Sequence, residues 1–373
     1  MKCFLLVIAC LLAPGLLLAQ FRLSASVKEG YAQNLFRNPD NLVENSDTLS
    51  RSALWQNSVY NRIALSGDYT KKWNSGRLKI TANWGTNRYH QQPHAHRVTY
   101  RARASFRSKY ARRKYIEFAP ELSRQQQDGI DQNDLIFSTR LSFHQLETPL
   151  HLDFYLGNKA WLKTETKYRY KAFDAFNGQQ THYHAWYTEA LFKKRWEPSS
   201  LTTHAVQVKM KGNYRDQTIT RFATESAAQE QRFRQFLTLN LAGSYSLSLA
   251  KNAIVLRVPV TVDQFVDFPT NQLDFSEVGA GLGLTWNNKK GSWRVGVERS
   301  IRQFHRFQLQ NGNRLAYTFW NPEFEFRIPL HPTLSLKMEG RWDIRTSTRD
   351  QITTAAYREY SSSFIQSGIV LEL

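Results

Sequence analysis

The sequence predicts an all-β fold class, a single antiparallel transmembrane β-barrel of about sixteen strands over residues 20–373. Three observations predict it. Residues 1–19 have the features of a secretory signal peptide. Apolar and polar residues alternate with a period of two through the rest of the chain, and short polar links alternate with longer ones between the predicted strands.

The N-terminal segment predicts export from the cytoplasm. Lys2 precedes an apolar run that extends to Leu18, and the small residue Ala19 suits cleavage by a signal peptidase, so the mature chain is expected to begin at Gln20. The alternative is a lipoprotein signal with Cys10 as the modified residue. The apolar run before Cys10 is short and continues past it, which favours the signal peptide.

Composition excludes several classes of protein. The chain has two cysteines, both within residues 1–19, so the mature part has no disulfide, thiolate metal site or cysteine nucleophile. The mean hydropathy is −0.53, and no later segment approaches the roughly 20 apolar residues of a membrane-spanning helix. The net charge of +19 suits an anionic partner. Export and the absence of a zinc-finger or helix-turn-helix pattern make nucleic acid an unexpected partner. A soluble secreted β-sandwich is the alternative fold.

Residues 97–107 show the alternation most clearly. One face is apolar, with Val98, Tyr100, Ala102, Ala104 and Phe106, and the other face carries four cations, Arg97, Arg101, Arg103 and Arg107. A helix would mix these residues on all sides, whereas successive side chains of a strand point to opposite faces. The segment is therefore predicted to be a strand with an apolar outer face and a cationic inner face.

The links between strands fall into two classes that alternate along the chain. The predicted short turns are at 72–76, 147–149, 197–200, 250–252, 287–291 and 331–332, and the predicted longer loops are near 35–56, 89–96, 125–133, 170–181, 216–231, 266–272, 304–313 and 346–356. This alternation favours short periplasmic turns and long extracellular loops over a sandwich, which has no reason to separate two classes of link.

The last eight residues, Gln366 to Leu373, resemble the C-terminal strand signal of bacterial outer-membrane β-barrels. The residues that carry the resemblance are Gly368, Leu371 and Leu373. Many such proteins end in Phe, and this one ends in Leu. The resemblance implies a bacterial outer-membrane protein, embedded in outer-membrane lipid and inserted by the barrel-assembly machinery.

The inward row of the predicted barrel is rich in cations. The candidate anion-attracting residues of the lumen are Arg97, Arg101, Arg103, Arg107, Arg62, Lys79 and Arg140. Glu117 and Glu121 are the only obvious carboxylate partners of the four arginines between 97 and 107. Later carboxylates are expected to pair across strands with Arg327, Lys337, Arg341 and Arg345.

The function predicted from this row is a porin-like passive channel whose cationic lumen favours small anionic solutes. Two alternatives stay open. The cations can simply be solvated in the lumen, or the barrel can be closed by its own side chains, including Tyr60, Tyr155 and Trp161, and act as an interaction or assembly partner through its outer loops.

Histidines form two clusters in the predicted loops. His90, His94 and His96 share one loop, and His182 and His184 lie two residues apart beside another. Their spacing matches no known zinc pattern, so neither a metal site nor any cofactor is predicted. No G-x-S-x-G motif is present, and no enzyme activity is expected.

Overall fold

The structure is a computed structural model that describes residues 20–35, 42–44, 47–49, 55–127, 142–174, 179–221, 230–268, 274–288, 290–309, 312–348 and 359–372. The predicted signal peptide, Arg140 and Leu373 lie outside the described residues. In the described part, no helix is long and apolar enough to cross a membrane.

The described chain consists almost entirely of antiparallel strands. Their bounds are β1 Gln20–Gln33, β2 Leu42–Glu44, β3 Asp47–Leu49, β4 Ser58–Trp73, β5 Gly76–Tyr89, β6 Arg97–Ala111, β7 Lys114–Phe118, β8 Glu121–Gln127, β9 Phe143–Gly157, β10 Ala160–Phe173, β11 Gln179–Trp196, β12 Thr203–Arg221, β13 Glu230–Leu249, β14 Ile254–Asp267, β15 Phe275–Asn288, β16 Gly291–Gln308, β17 Arg314–His331, β18 Leu334–Ser347 and β19 Tyr360–Glu372. A single 3₁₀ turn, Pro93–Ala95, is the one helical element among the described residues.

The strands form one closed sheet. Each pairs with its neighbours along the chain, and β1 pairs with both β4 and β19, which closes the circle. The pieces β7 and β8 both pair with β6 and β9, so they are two halves of one strand. The short hairpin β2–β3 is separate from the wall. The prediction of a single antiparallel barrel of sixteen strands is confirmed.

The two faces of the wall differ as the alternation predicts. On β6, Tyr100 and Phe106 lie on the outer face with 42 % and 49 % of their surface exposed. Arg107 faces inward, because its guanidinium reaches Asp153 on β9, at 2.7 Å, across the intervening β7. Large apolar side chains stay exposed on the outer face of every strand pair around the barrel.

One predicted turn is wrong. Residues 147–149 lie inside β9, and the chain reverses instead at Gly157, Asn158 and Lys159, which have φ of 90°, 46° and 57°. Within an antiparallel strand, the N–H and the C=O of one residue point to the same side. The Pro149 carbonyl faces the break between β7 and β8, so the N–H that proline lacks would also face this break, and Pro149 is tolerated in the strand. There the Ala119 N–H donates to the Pro149 carbonyl, at 3.1 Å.

The structure also has a turn that the sequence analysis missed, between β6 and β7 at Arg112 and Arg113, where Arg113 has a φ of 57°. It restores the alternation of short and long links. The other predicted short turns coincide with links between strands. The two ends of the wall are called the turn end and the loop end below, after the links that each carries.

The pairing of β1 with β19 depends on a glycine. Gly368 pairs with Lys28, and a Cβ at this position would lie 2.1 Å from the Val27 carbonyl oxygen and 2.5 Å from the Lys28 Cα. Both are backbone atoms, so the contact cannot be relieved by a side-chain rotation. We call the region where β18, β19, β1 and β4 meet the closing seam.

We expect Gly368→Ala to destabilise the barrel by about 1–3 kcal/mol, because it overpacks the closing seam. Urea unfolding of the protein in lipid vesicles measures this. Gly243→Ala is the matched control, since nothing lies within 4 Å of the Cβ that it would add. Equal stability of the two variants would contradict the close approach at Gly368.

Candidate functional site: the lumen wall

The four arginines of β6 all face the lumen, as predicted, but three of them have carboxylate partners. Arg101 Nε lies 3.0 Å from Glu121, and Arg103 lies 3.8 Å from Glu117. Arg107 lies 2.7 Å from Asp153, a partner that the sequence analysis did not find because it is distant in the chain. In this row of four arginines, the three at the centre and at the turn end are therefore in ion pairs.

These carboxylates are shared. Glu117 accepts contacts from both Arg103 and Arg77, each at 3.8 Å. Asp153 lies between Arg107 and Lys163, with the lysine at 4.0 Å. One negative charge thus serves two positive charges at each of these two places, and the cavity that Arg103, Arg107 and Lys163 line also contains Glu165 and Glu189.

The candidate residues nearer the loop end have fewer ionic contacts. Arg97 contacts the Asn87 amide oxygen, at 3.1 Å once that amide is oriented to satisfy its neighbours. Among the described residues Arg62 has no ion pair, and its lateral neighbours are Lys28 and Asn87. Lys79, by contrast, pairs with Asp68 at 3.0 Å.

Arg62, Arg97 and Arg101 line one cavity on the lumen side of β4–β9. Its other lumen-facing lining is mostly small or uncharged and polar, including Ser24, Ser26, Ser66, Asn83, Asn87, Thr99, Ser123, Gln125 and Gln145. No Asp or Glu belongs to the described lining. The structure therefore brings three of the seven candidate residues together, and it places Arg103, Arg107 and Lys79 in ion pairs elsewhere on the wall.

The closing seam has its own charged network. Glu339 accepts a hydrogen bond from Lys28 Nζ, at 2.8 Å, and lies 2.7 Å from Lys337 Nζ. Gln366 also donates to Glu339 and accepts from the Tyr60 hydroxyl, at 3.2 Å. Lys28, Tyr60 and Gln366 are all buried. The network joins four strands and fills the lumen locally.

Two of the later cations, Lys337 and Arg327, pair with carboxylates across strands as predicted, whereas Arg341 pairs along its own strand and Arg345 lies over the rings of Tyr317 and Tyr360. Lys337 also contacts Glu325, at 3.1 Å, and Arg327 contacts Glu372, at 2.9 Å. Arg341 pairs with Asp343 on its own strand, at 2.8 Å. This part of the wall is close to neutral.

Sequence reasoning missed a belt of inward aromatic residues at the loop end. Its members come from successive strands, namely Phe143, Phe173, Tyr183, Tyr187, Phe236, Phe265, Phe275, Phe304, Tyr317, Phe319 and Tyr360. Arginine and lysine side chains lie over many of these rings. The belt could have been predicted from the sequence, because an aromatic residue occupies an inward-facing position of the alternation near the loops.

The two histidine clusters are described in part, because the side chain of His94 lies outside the described residues. His182 and His184 face the same way, but outward, and the Tyr168 hydroxyl lies 2.6 Å from His184 Nδ1. His96 Nδ1 accepts from the Tyr89 N–H, at 3.2 Å. The described residues hold no group of three His, Cys, Asp or Glu arranged around a metal position. His144 and His151 lie in β9 on opposite faces of the wall.

Aromatic residues also mark both ends of the outer face. Trp186 stacks near Tyr168 and Tyr214 at the loop end, and Trp196 stacks on His204 at the turn end, with 5.4 Å between ring centroids. Ten residues separate the two tryptophans on β11. At about 3.3 Å per residue and a tilt of about 40°, they span about 25 Å along the barrel axis, the height of the apolar band of outer-membrane barrels.

The chain folds as a transmembrane β-barrel. A closed sheet leaves no unpaired edge in lipid, and the outer band between the two aromatic girdles is apolar, with Leu239, Leu241, Val260, Val262 and Val278 exposed on it. An apolar outer band of this height suits a barrel that is surrounded by lipid, as predicted.

Comparisons with solved structures find barrels of the same class. The chain is similar to OccAB3 of Acinetobacter baumannii, with 7 % identity, 95 % of this chain and 100 % of that chain covered, and a TM-score of 0.48. It is similar to a loop-deletion mutant of OmpT, an outer membrane protein of Vibrio cholerae, with 9 % identity, coverage of 95 % and 100 %, and a TM-score of 0.44. It is also similar to the siderophore receptor PirA from Pseudomonas aeruginosa, with 8 % identity, coverage of 95 % and 80 %, and a TM-score of 0.42. No family model and no curated protein matches the chain. These likenesses concern the fold alone.

We expect Glu339→Gln to destabilise the barrel by about 2–4 kcal/mol, because it leaves the buried Lys28 without a counter-charge and removes one of the two carboxylates beside Lys337. Urea unfolding in vesicles measures the effect. Glu372→Gln is the control, because its pair with Arg327 is exposed and is expected to contribute less than about 1 kcal/mol. A loss no larger than that of the control would show that the network does not stabilise the seam.

Proposed function

We propose that the barrel is a porin-like passive channel whose lumen favours small anionic solutes, and that it has no catalytic role. The wall has sixteen strands, and barrels of this size enclose an aqueous lumen. Its inner face is polar and charged. The observation that carries the anion preference is the cavity that Arg62 and Arg97 line without a carboxylate partner in the described part of the chain. Beside it, Glu117 and Asp153 are each shared by two cations.

The residual charge acts on mobile ions at short range. Fixed charges on a pore wall influence ions within about 8 Å at physiological salt. Arginines without a full counter-charge attract anions there, and their planar guanidinium groups can donate two hydrogen bonds to a carboxylate, sulfate or phosphate. Arg62 and Arg97 suit this role best, since neither has a carboxylate partner among the residues that the structure describes.

We expect the wild-type channel to prefer anions in reversal-potential measurements under a KCl gradient. Replacing Arg62 and Arg97 by Glu lowers the charge of the wall by about four units, two for each reversal. The preference should therefore shift towards cations. Raising the salt should reduce the difference, because screening weakens both walls.

The matched control for this pair is Lys251→Glu with Lys290→Glu. Both lysines are exposed in short links at the turn end, so the net charge changes equally without touching the β4–β9 cavity. A cation-selective wild type, or a shift of equal size in the control, would refute the proposed selectivity.

The alternative function, a closed barrel that acts as a binding partner through its outer loops, is favoured by two observations. Lys28, Tyr60 and Gln366 are buried on the lumen side, so the seam already fills part of the pore. Tyr155 and Trp161 also stack together on the inner face, with 5.5 Å between ring centroids. A folded protein that never conducts in planar bilayers would support this alternative and refute the channel.

We also propose that the C-terminal residues Gly368, Leu371 and Leu373 form the signal for the barrel-assembly machinery. Leu371 supports this, because it lies at the parity of the outer face and pairs with Ala25 and Leu334 at the closing seam.

Deletion of residues 371–373 should reduce the amount of heat-modifiable barrel in the outer membrane several-fold without blocking export. Cell fractionation with gel electrophoresis of unheated samples measures this. Leu330→Asp, on an outward position at the turn end of β17, serves as the control for loss of an apolar residue. Normal assembly of the truncated chain would show that the C-terminal pattern has no such role.

A further inference from the structure

The lumen side of β10–β12 contains a compact aromatic cluster with cations around it. Tyr183, Ala185 and Tyr187 of β11 are buried, and Phe173 packs against them. Ala185 pairs laterally with Arg169 on β10 and with Arg215 on β12. Its small side chain lies between these two long cations and is completely buried by its neighbours.

Most cations near this cluster have carboxylate partners. Arg169 lies 2.5 Å and Lys167 lies 3.3 Å from Glu147. Arg234, two strands from Ala185, lies 3.6 Å from the buried Asp267. These ion pairs hold the cations around the cluster in place, and they neutralise the nearby carboxylates.

Lys171 and Arg215 differ from these neighbours. Lys171 Nζ lies over the rings of Phe143 and Phe173, at 3.5 and 4.5 Å from their centroids. The Arg215 guanidinium lies over the rings of Tyr183 and Phe236, at 5.3 and 4.5 Å. Within the described part of the chain, neither cation has a carboxylate at ion-pair distance. Aromatic faces hold both cations in position without neutralising their charge.

Such cations can bind an oxyanion. A guanidinium that lies over a ring keeps its N–H edge available, and that edge matches two oxygens of one anion. The Lys171 ammonium adds donors without a fixed geometry. It lies near Arg215, because Lys171 pairs laterally with Tyr183, over whose ring the Arg215 guanidinium lies. We infer that Lys171 and Arg215 form a binding site for one oxyanion group, a phosphate, sulfate or carboxylate, at the loop end of the lumen. The site lies on other strands than the β4–β9 cavity, and it holds its anion whether or not the lumen conducts.

Arg302 provides a comparison within the same belt. Its guanidinium lies between Phe275 and Phe319, at 4.2 and 5.0 Å, so its ring contacts are similar to those of Arg215. It is neutralised by Glu277, at 2.8 Å. The same aromatic contacts with a carboxylate present should bind no further anion.

Equilibrium dialysis with radiolabelled orthophosphate tests the site on the full-length folded barrel in an uncharged, sugar-headed detergent. We expect saturable binding of about one phosphate per barrel that sulfate or acetate displaces and that chloride at the same ionic strength does not. Lys171→Met with Arg215→Met keeps unbranched stems against the rings and should weaken binding at least tenfold. Arg215→Lys should give an intermediate loss, because it keeps the charge and removes the fork.

The matched control is Arg302→Met, which should bind phosphate like the wild type. Heat-modifiable migration verifies that each variant is folded. Absence of saturable binding, or equal binding by the wild type and the double methionine variant, would overturn the site. Phosphate binding without any bilayer conductance would refute the channel and leave the site intact. Anion-selective conductance without phosphate binding would support the channel and overturn the site.

Discussion

Pairing of β1 with β19 is the constraint on which the rest of the structure depends. In hydrocarbon each unpaired backbone N–H or C=O costs several kcal/mol, so a sheet that crosses a membrane must have no edge. Closure is achieved by the first and last strands of the described wall, where Gly368 allows the backbones to approach and Glu339 joins the charges of Lys28 and Lys337. The division into a lipid face and a lumen face exists only because the sheet closes.

Closure also explains why the sequence predicts so much of the fold. Once each strand has one face in lipid and one in water, alternation with a period of two is required on every strand, and a shift of one residue would place Arg101 or Arg103 in lipid. The faces of β6, the outward Leu371 and the late ion pairs of Lys337 could therefore be predicted from parity alone. The turn at 147–149 could not, because Pro149 lies beside a break in a neighbouring strand that local sequence does not reveal.

The use of parity also explains why the candidate site was less predictable than the fold. Parity gives the face of a side chain, but its partner depends on how far neighbouring strands are displaced along each other. Asp153 lies 46 residues from Arg107 in the chain and reaches it across an intervening strand. The seven predicted lumen cations thus separate into paired and unpaired groups only in the structure, with Arg62 and Arg97 in the second group and Arg140 outside the described residues.

The way in which a cation is held decides what it can do in this lumen. A carboxylate fixes an arginine and cancels its charge, as Glu277 does for Arg302, whereas two aromatic faces fix it and leave the charge in place, as Phe236 and Tyr183 do for Arg215. Rings also restrict the side chain, so less conformational entropy is lost when an anion binds. Inward aromatic residues at the loop end therefore do more than fill space. They allow a wall with many ion pairs to keep ordered, uncompensated positive charge where solutes would enter from the side of the long loops.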